Sequence, residues 1–276
     1  MATPAPSRIE PAAVPLDPPR FGLLSAASVV VGLDDPHARN GVQYPPNPLG
    51  DTVGVERVVA VNGPSVPRTI DDAGIEWASA PGLIVFGGFS NPSLPLNDQT
   101  LRERATAILA AGESAAVEAA MWSQLGDDGD ASLIETATVL GSDPVSLPAA
   151  VGLIEEWFWP RYGGTPVIHA NRQVAAHAAK AVQLNVSGGV ATTTLGTRWS
   201  FGGYSGDGPT APAPAGATWL VATGQVKVRR SDITVYGGTM QQAVDRHTNV
   251  ARSVAARTYV VSWDDIAVAI PVTLAG

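Results

Sequence analysis

The stretch Gly203-Tyr204-Ser205-Gly206-Asp207 comes near the G-x-S-x-G form of a nucleophile elbow, in which a sharp strand-to-helix turn presents a serine hydroxyl to a carbonyl. Asp207 stands where the second glycine belongs, and the flanking sequence is Gly-rich, without a clear strand before and helix after. An α/β hydrolase-like enzyme using Ser205 would also need His and Asp partners that the sequence does not place. A Gly-rich surface loop accounts for the same residues. His169 and His177 do not share the i, i+4 face of a zinc helix, and none of the 4 histidines stands in HExxH form. His169 reads as a strand-end hydrogen-bonding residue, and His37 and His247 as polar loop groups.

Asp127, Asp128 and Asp130, with Glu135 downstream, have the composition of a calcium loop, but Leu133 stands where a loop starting at Asp128 needs glycine. An acidic turn ending a helix is the better reading. Glu155-Glu156 reads as the solvated side of an amphipathic helix, and Arg229-Arg230 as a solvated strand edge. No phosphate-binding glycine loop occurs, nor a basic stripe with interleaved aromatics. The expectation is therefore no catalytic residue, no cofactor site and no metal site.

Composition points the same way. Of 276 residues, 45% are hydrophobic, enough for a sizeable core, while only 15% are charged. So little charge suits a chain whose surface is largely covered by other chains, and 29 Gly with 23 Pro indicate many turns and extended connections. A net charge of -8 argues against electrostatic wrapping of nucleic acid. The absence of cysteine excludes disulfides and thiolate chemistry and fits a reducing compartment. The first residues lack the basic and apolar regions of a signal peptide, and no run approaches the roughly 20 apolar residues of a membrane span. The sequon at Asn185 accordingly carries no meaning.

The elements follow from periodicity. Residues 1–20 are rich in proline and cannot form a helix, Phe21 to Leu33 is an apolar run open to either strand or a first helical turn, and the Pro- and Gly-rich stretch from Asp34 to about Gly50 is a long extended connection. Thr52 to Phe89 reads as a long two-stranded excursion, marginal unless it lies against something else. The clearest helix runs from Asn97 or Thr100 to about Gln124, roughly 40 Å at 1.5 Å per residue. Its expected apolar stripe is Leu101, Ala105, Ile108, Gly112, Ala115, Ala119 and Trp122, with Arg102, Glu103, Glu113 and Glu118 lying off it. A second helix covers Leu147 to Tyr162. GTPVIHA is a strand, and a third helix follows that Asn171 can cap. A polar, turn-rich stretch comes next, then TWLVATGQVKVRR as strand, and two final strands flank Asp264-Asp265.

This succession resembles the major capsid proteins of tailed double-stranded DNA bacteriophages, of the Hong Kong 97-like type, and their relatives the encapsulins. The stretches that carry the likeness are GLLSAASVV with DDPHARNGVQYPP, LNDQTLRERATAILAAGESAAVEAAMW, GTPVIHA, TWLVATGQVKVRR and DRHTNVARSVAARTYVVSW. They look especially like the short capsid proteins of actinobacterial phages. The resemblance implies an α+β fold with an N-arm (1–50), an extended β-hairpin loop (51–93), a peripheral domain with a long spine helix (94–145), an axial domain (146–245) and return strands of the peripheral domain (246–276). It implies self-assembly as hexamers and pentamers into an icosahedral shell that encloses DNA without sequence-specific binding, in a virion assembled in the host cytoplasm, with no membrane. Scaffold, portal and decoration proteins would be further partners.

Two departures refine it. Some relatives weld subunits through an isopeptide bond from a lysine of the extended loop, but Lys180 and Lys227 are the only lysines here and neither lies in 51–93. A spine helix starting near residue 97 leaves no room before it for a fused scaffolding domain of roughly 100 residues, so a separate scaffold protein, or none, is expected. The alternatives are an encapsulin-like compartment, a ring-forming tail-tube or head-completion protein, and, from another class, the Ser205 hydrolase. Among the loops, Gly202 to Gly216 is the choice for the capsomer centre because its Gly and Pro content suits a surface tip.

Overall fold

The computed structural model describes residues 17–274 except 18, 34, 51–75, 92–96, 125–131, 183 and 210–211. The chain begins with α1 (Leu23–Ala26), β1 (Ser28–Val31), a 3-10 turn over Pro36–Asn40, β2 (Val42–Tyr44), β3 (Ala78–Ala80) and β4 (Gly82–Asn91). The spine helix α2 (Asp98–Ala119) runs into a π-helical turn over Ala120–Gln124, then come α3 (Leu133–Thr136), β5 (Thr138–Val139), β6 (Val145–Ser146) and α4 (Leu147–Phe158). Next are β7 (Val167–Asn171), α5 (Arg172–Ala181), β8 (Asn185–Ser187), β9 (Val190–Thr192), β10 (Arg198–Gly202) and β11 (Ala217–Thr223). The chain closes with β12 (Val226–Arg230), β13 (Thr234–Tyr236), α6 (Met240–Ala243), β14 (Val244–Asp245), β15 (Val250–Trp263) and β16 (Ala267–Thr273).

Two large sheets organise these elements. The eight-stranded sheet has the order β5-β16-β11-β7-β10-β9-β8, with β6 also on β16; the six-stranded sheet has the order β1-β12-β15-β13, with β14 and β4 also on β15. Central strands of the first sheet are apolar on both faces, which is why their sequences read as nearly continuous runs. Ile168, Leu220 and Ile270 face a core shared with Val151, Ile154 and Phe158 of α4 and Val174 of α5. Their neighbours Val167, Val221 and Ala269 face a second core with Met121, Trp122, Val228, Tyr259 and Val261, which joins the two sheets.

The helix starts follow their caps. Asn97 Oδ1 accepts the Thr100 N–H at 2.7 Å, Ser146 caps α4, and Asn171 accepts the Val174 N–H at 3.3 Å. The apolar stripe of α2 differs from the expected one: Leu101, Ala105, Leu109, Val117, Met121 and Trp122 are buried, whereas Ile108, Gly112 and Ala115 face outward. Steps of four overshoot one face of a 3.6-residue helix by about 40° each, so the buried stripe winds round the rod instead of holding one side.

Several other expectations change. Phe21 to Leu33 contains both a helical turn and a strand. The stretch after α5, read as turns, holds β8, β9 and β10, the first two joined through Gly188 and Gly189, both at positive φ as a two-residue hairpin requires. The return strand of the excursion, β4, pairs antiparallel with β15 from Gly82↔Val260 to Asn91↔Ala251, and β3 pairs with β2 of the arm; the outgoing half, 51–75, lies outside the described residues. The two large sheets draw strands from distant parts of the chain. β16 joins the sheet built mainly by 146–245, while β12 and β13 of that range join β15. Much of the pairing is long-range, antiparallel in some pairs and parallel in others, and chain order does not reveal it.

Candidate functional site: arm anchors and exposed faces

The residues first considered for chemistry are held in structural roles. Ser205 is exposed, its Oγ accepting the Asp207 N–H at 3.3 Å within the loop that leads from β10 to β11, so strand-turn-helix geometry is absent at this serine. Both ring nitrogens of the fully buried His169 are occupied: Nδ1 lies 3.1 Å from Tyr204 Oη and Nε2 lies 3.0 Å from Thr223 Oγ1. Thr223 donates its own proton to the Gly224 carbonyl at 2.9 Å. That direction makes Thr223 Oγ1 an acceptor, places the imidazole proton on Nε2, and leaves Nδ1 to accept from Tyr204. Ser200 Oγ, 2.6 Å from Tyr204 Oη, completes a satisfied core network. Burial lowers the His169 pKa to about 3, and burial with the nearby Glu118 charge pushes the Tyr204 phenol up.

Glu135 caps a helix. Its carboxylate takes the Ser132 N–H and Oγ, both at 2.8 Å, as the capping box of α3, which holds its pKa below the usual range. Asp127, Asp128 and Asp130 lie outside the described residues. Glu155 is half-buried rather than solvated, accepting from Thr193 Oγ1 at 2.5 Å and joining α4 to the turn after β9. Arg229, also half-buried, donates to Ser262 Oγ at 3.0 Å across the β12–β15 pair. Among the described residues no group of His, Cys, Asp or Glu is arranged to hold a metal, and no helix is long and apolar enough to cross a membrane.

Two other carboxylates, passed over in the sequence, fix the arm. Glu118 on α2 is buried, with Oε1 accepting the Leu23 N–H at 2.8 Å and Oε2 accepting the Gly203 N–H at 2.7 Å. A Cβ on Gly22 would stand 2.4 Å from Oε1, and one on Gly202 would stand 2.7 Å from Oε2, so glycines form the cradle. Burial raises the Glu118 pKa, against the opposing pull of the two N–H groups and Arg172. The Phe201 N–H donates to the Phe21 carbonyl at 2.7 Å, and Arg198 Nη1 to that of Ala26 at 3.1 Å.

The second anchor is Asp264, in the β15–β16 turn and 7% exposed. It accepts the Asn47 N–H at 3.0 Å, the Asn47 side-chain amide at 3.0 and 3.2 Å, and the Tyr162 hydroxyl. Tyr162 Oη in turn accepts the Gln225 N–H at 2.8 Å, and burial followed by its bond to Asp264 pushes the phenol up. Beside it Tyr44 Oη donates to the Trp263 carbonyl at 2.6 Å and the Gly50 N–H to the Arg161 carbonyl at 2.6 Å. The arm thus reaches the body through paired polar contacts at both ends of its described length.

Large apolar side chains remain uncovered. Trp159 is 87% exposed at the end of α4, and Phe86 is 70% exposed on β4 with Ile84 on the same face. Trp77, Val186, Leu195 and Tyr236 are exposed as well, and β1 presents Val29, Val30 and Val31 at the rim of its sheet. No described strand pairs with the outer edge of β1. Exposed apolar strand edges and aromatics of this kind mark surfaces that meet other chains. The Gly202–Gly216 loop is less of a free tip than expected, because Trp122 Nε1 donates to the Asp207 carbonyl at 3.2 Å and the Trp219 N–H to that of Gly206 at 3.0 Å.

Comparison with solved structures decides the fold. A capsid chain of the native GTA particle, computed with C5 symmetry, superposes with a TM-score of 0.54 at 13% identity, over 98% of this chain and 96% of that one. The chain has a phage capsid fold. A chain of Mycobacterium phage Adephagia aligns at TM-score 0.53 and 13% identity over 96% and 94% of the two chains. One of Microbacterium phage Oxtober96 aligns at 0.51 and 8% over 96% and 95%. No family model and no curated protein matches the sequence. Within this capsid fold, α2 with β4 and β15 carries the Glu118 anchor, and the β15–β16 turn carries Asp264. Sequence reasoning placed Glu118 off the apolar stripe of α2 and gave it no role. The available signal was its neighbourhood, Val117 before it and Met121-Trp122 after it, which leaves a carboxylate no clean polar face to occupy.

Proposed function

We propose that the chain is the major subunit of a protein shell, assembling with copies of itself as hexamers and pentamers into a closed icosahedral phage head around double-stranded DNA. The observation that carries this reading is the match of nearly the whole chain to a capsid chain of similar length. It is supported by apolar side chains, Trp159 and Phe86 foremost, which a lone subunit leaves in water and contact with other copies would bury. The capsid neighbours support a structural role, and His169, with both ring nitrogens occupied, does not serve Ser205. A net charge of -8 suits an inner surface that does not grip packaged DNA.

On this reading residues 1–50 form an arm lying on neighbouring subunits and 51–93 an extended loop. Residues 94–145 with 246–276 form the peripheral part and 146–245 the axial part. Portal, scaffold and decoration proteins are further partners, and the assembled protein resides in the virion. Sedimentation of the purified full chain over a dilution series tests the reading. Fast, discrete particles are the expected result; a single slow subunit at every concentration, including high ones, contradicts it.

A further inference from the structure

The arm segment Arg20–Ala27 crosses the spine helix α2 with a gap between them. A cavity of about 220 Å³ separates Pro19, Leu24 and Ser25 on the arm side from Ala111, Ser114 and Ala115 on α2, and a groove of about 1040 Å³ continues past Val29. Leu23 and Ala26 sink into the core that joins the sheets. Among the described residues, the hydrogen bond across the gap is that of Glu118 to the Leu23 N–H. The remaining polar attachments of this segment run to the other side, from Phe201, Arg172 and Arg198 to backbone carbonyls. Next along the chain, β1 is fixed by four parallel register pairs to β12 and supplies a firm end about which the segment can swing.

The segment also stores strain. Phe21 sits at φ 64°, a left-handed conformation uncommon for an aromatic residue. Both its backbone groups are held, the N–H by Ser25 Oγ at 3.2 Å and the carbonyl by the Phe201 N–H. The elbow persists only while its flanks stay fixed.

We propose that Glu118 is a tether coupling the arm to the spine helix, and that residues 20–27 are a strap that opens as a unit when the tether is lost, leaving the two sheets intact. The carboxylate acts by position, holding the strap on one oxygen and the Gly202–Gly203 corner on the other, so that a shift of α2 is transmitted to both. The inference does not rest on the shell reading, because it concerns contacts inside one chain.

Hydrogen exchange on the full chain, in whatever oligomeric form it purifies, tests it with Glu118→Ala, Glu118→Gln and Gly22→Ala. The last keeps the carboxylate but puts a methyl 2.4 Å from its Oε1. Peptides over 20–27 should exchange about tenfold faster or more in Glu118→Ala and Gly22→Ala, the scale set by losing a hydrogen bond to a charged acceptor. Peptides over 167–171 and 217–223 should be unchanged, and Glu118→Gln, which keeps one acceptor oxygen, should fall between. Unchanged exchange over 20–27 in the variants overturns the proposal. So does equal acceleration of the core strands, which would make strap and core one cooperative unit. Should Glu118→Ala fail to fold, Gly22→Ala reads the same contact from the strap side.

Discussion

Asp264 holds Asn47 by both its backbone and its side chain, with the Asn47 N–H 3.0 Å from Oδ1 and the amide nitrogen 3.0 Å from Oδ2. The same carboxylate takes the Tyr162 hydroxyl, so one buried group joins the arm, the end of α4 and the β15–β16 turn. Replacing Asp264 with Ala strands three donors at once. The expected loss is about 3 kcal/mol, read as a lower denaturant midpoint. Asp264→Asn, which keeps one acceptor, should lose less, and equal stability of Asp264→Ala and wild type would remove the anchor from the account.

His169 predicts a pH dependence. Its folded-state pKa, lowered by burial to about 3 from 6.5, means that the unfolded chain takes up a proton well before the native one does. Its contribution to stability is therefore constant above pH 6.5 and declines as the pH falls toward 3, with a slope of about 1.4 kcal/mol per pH unit in between. Glu118 works in the opposite sense: its raised pKa gives a contribution present at acid pH and lost as the pH rises through the raised value. Comparing wild type with His169→Gln cancels the Glu118 term. Between pH 7 and pH 5 the wild type should lose stability more steeply than the variant, and parallel curves would contradict the assignment of a neutral buried imidazole.

Gly87 and Gly88 are adjacent glycines on β4 with opposite expectations. A Cβ at Gly87 would stand 2.7 Å from the backbone nitrogen of Leu109 and 2.9 Å from its Cα, atoms that move only if α2 moves. At Gly88 the nearest atom is a Val254 methyl at 3.9 Å, an ordinary contact. Gly87→Ala should cost about 2 kcal/mol or more, and Gly88→Ala should be neutral within about 0.5 kcal/mol. Thermal unfolding of the two variants side by side measures the difference, and similar melting temperatures would mean that α2 does not seat directly on Gly87.

These particulars show which parts of the fold the sequence discloses. Helix starts were readable because Asn97 and Asn171 are local caps, and the strand character of β7, β11 and β16 was readable because burial on both faces leaves nearly unbroken apolar runs. Pairing was not. Nothing local in GLIVFGGF says that its partner is VARSVAARTYVV, more than 150 residues away. Charge says little on α2, where Glu113 and Glu118 lie off the expected apolar stripe, yet one meets Arg257 at 3.2 Å and the other meets two backbone N–H groups. A carboxylate paired with distant donors has the same sequence appearance as one in water.

Phe86 and Trp159 separate assembly from folding. Both are mostly exposed in the single subunit, so Phe86→Asp or Trp159→Ser should leave its melting temperature within about 2 °C of wild type. Each should reduce the yield of large particles at a fixed protein concentration, since a charged or truncated side chain at a closed contact costs about 2 kcal/mol or more per copy. Light scattering reports particle yield. Undiminished assembly by both variants would place the contacts elsewhere on the surface.

The central claim is that copies of this one chain close into a shell. Cryo-electron microscopy of the purified full chain, at a concentration where large particles sediment, tests it most directly. Closed polyhedral particles whose walls resolve into five-fold and six-fold clusters of one subunit are the result this account predicts. Open tubes, isolated rings or dispersed single subunits would contradict it.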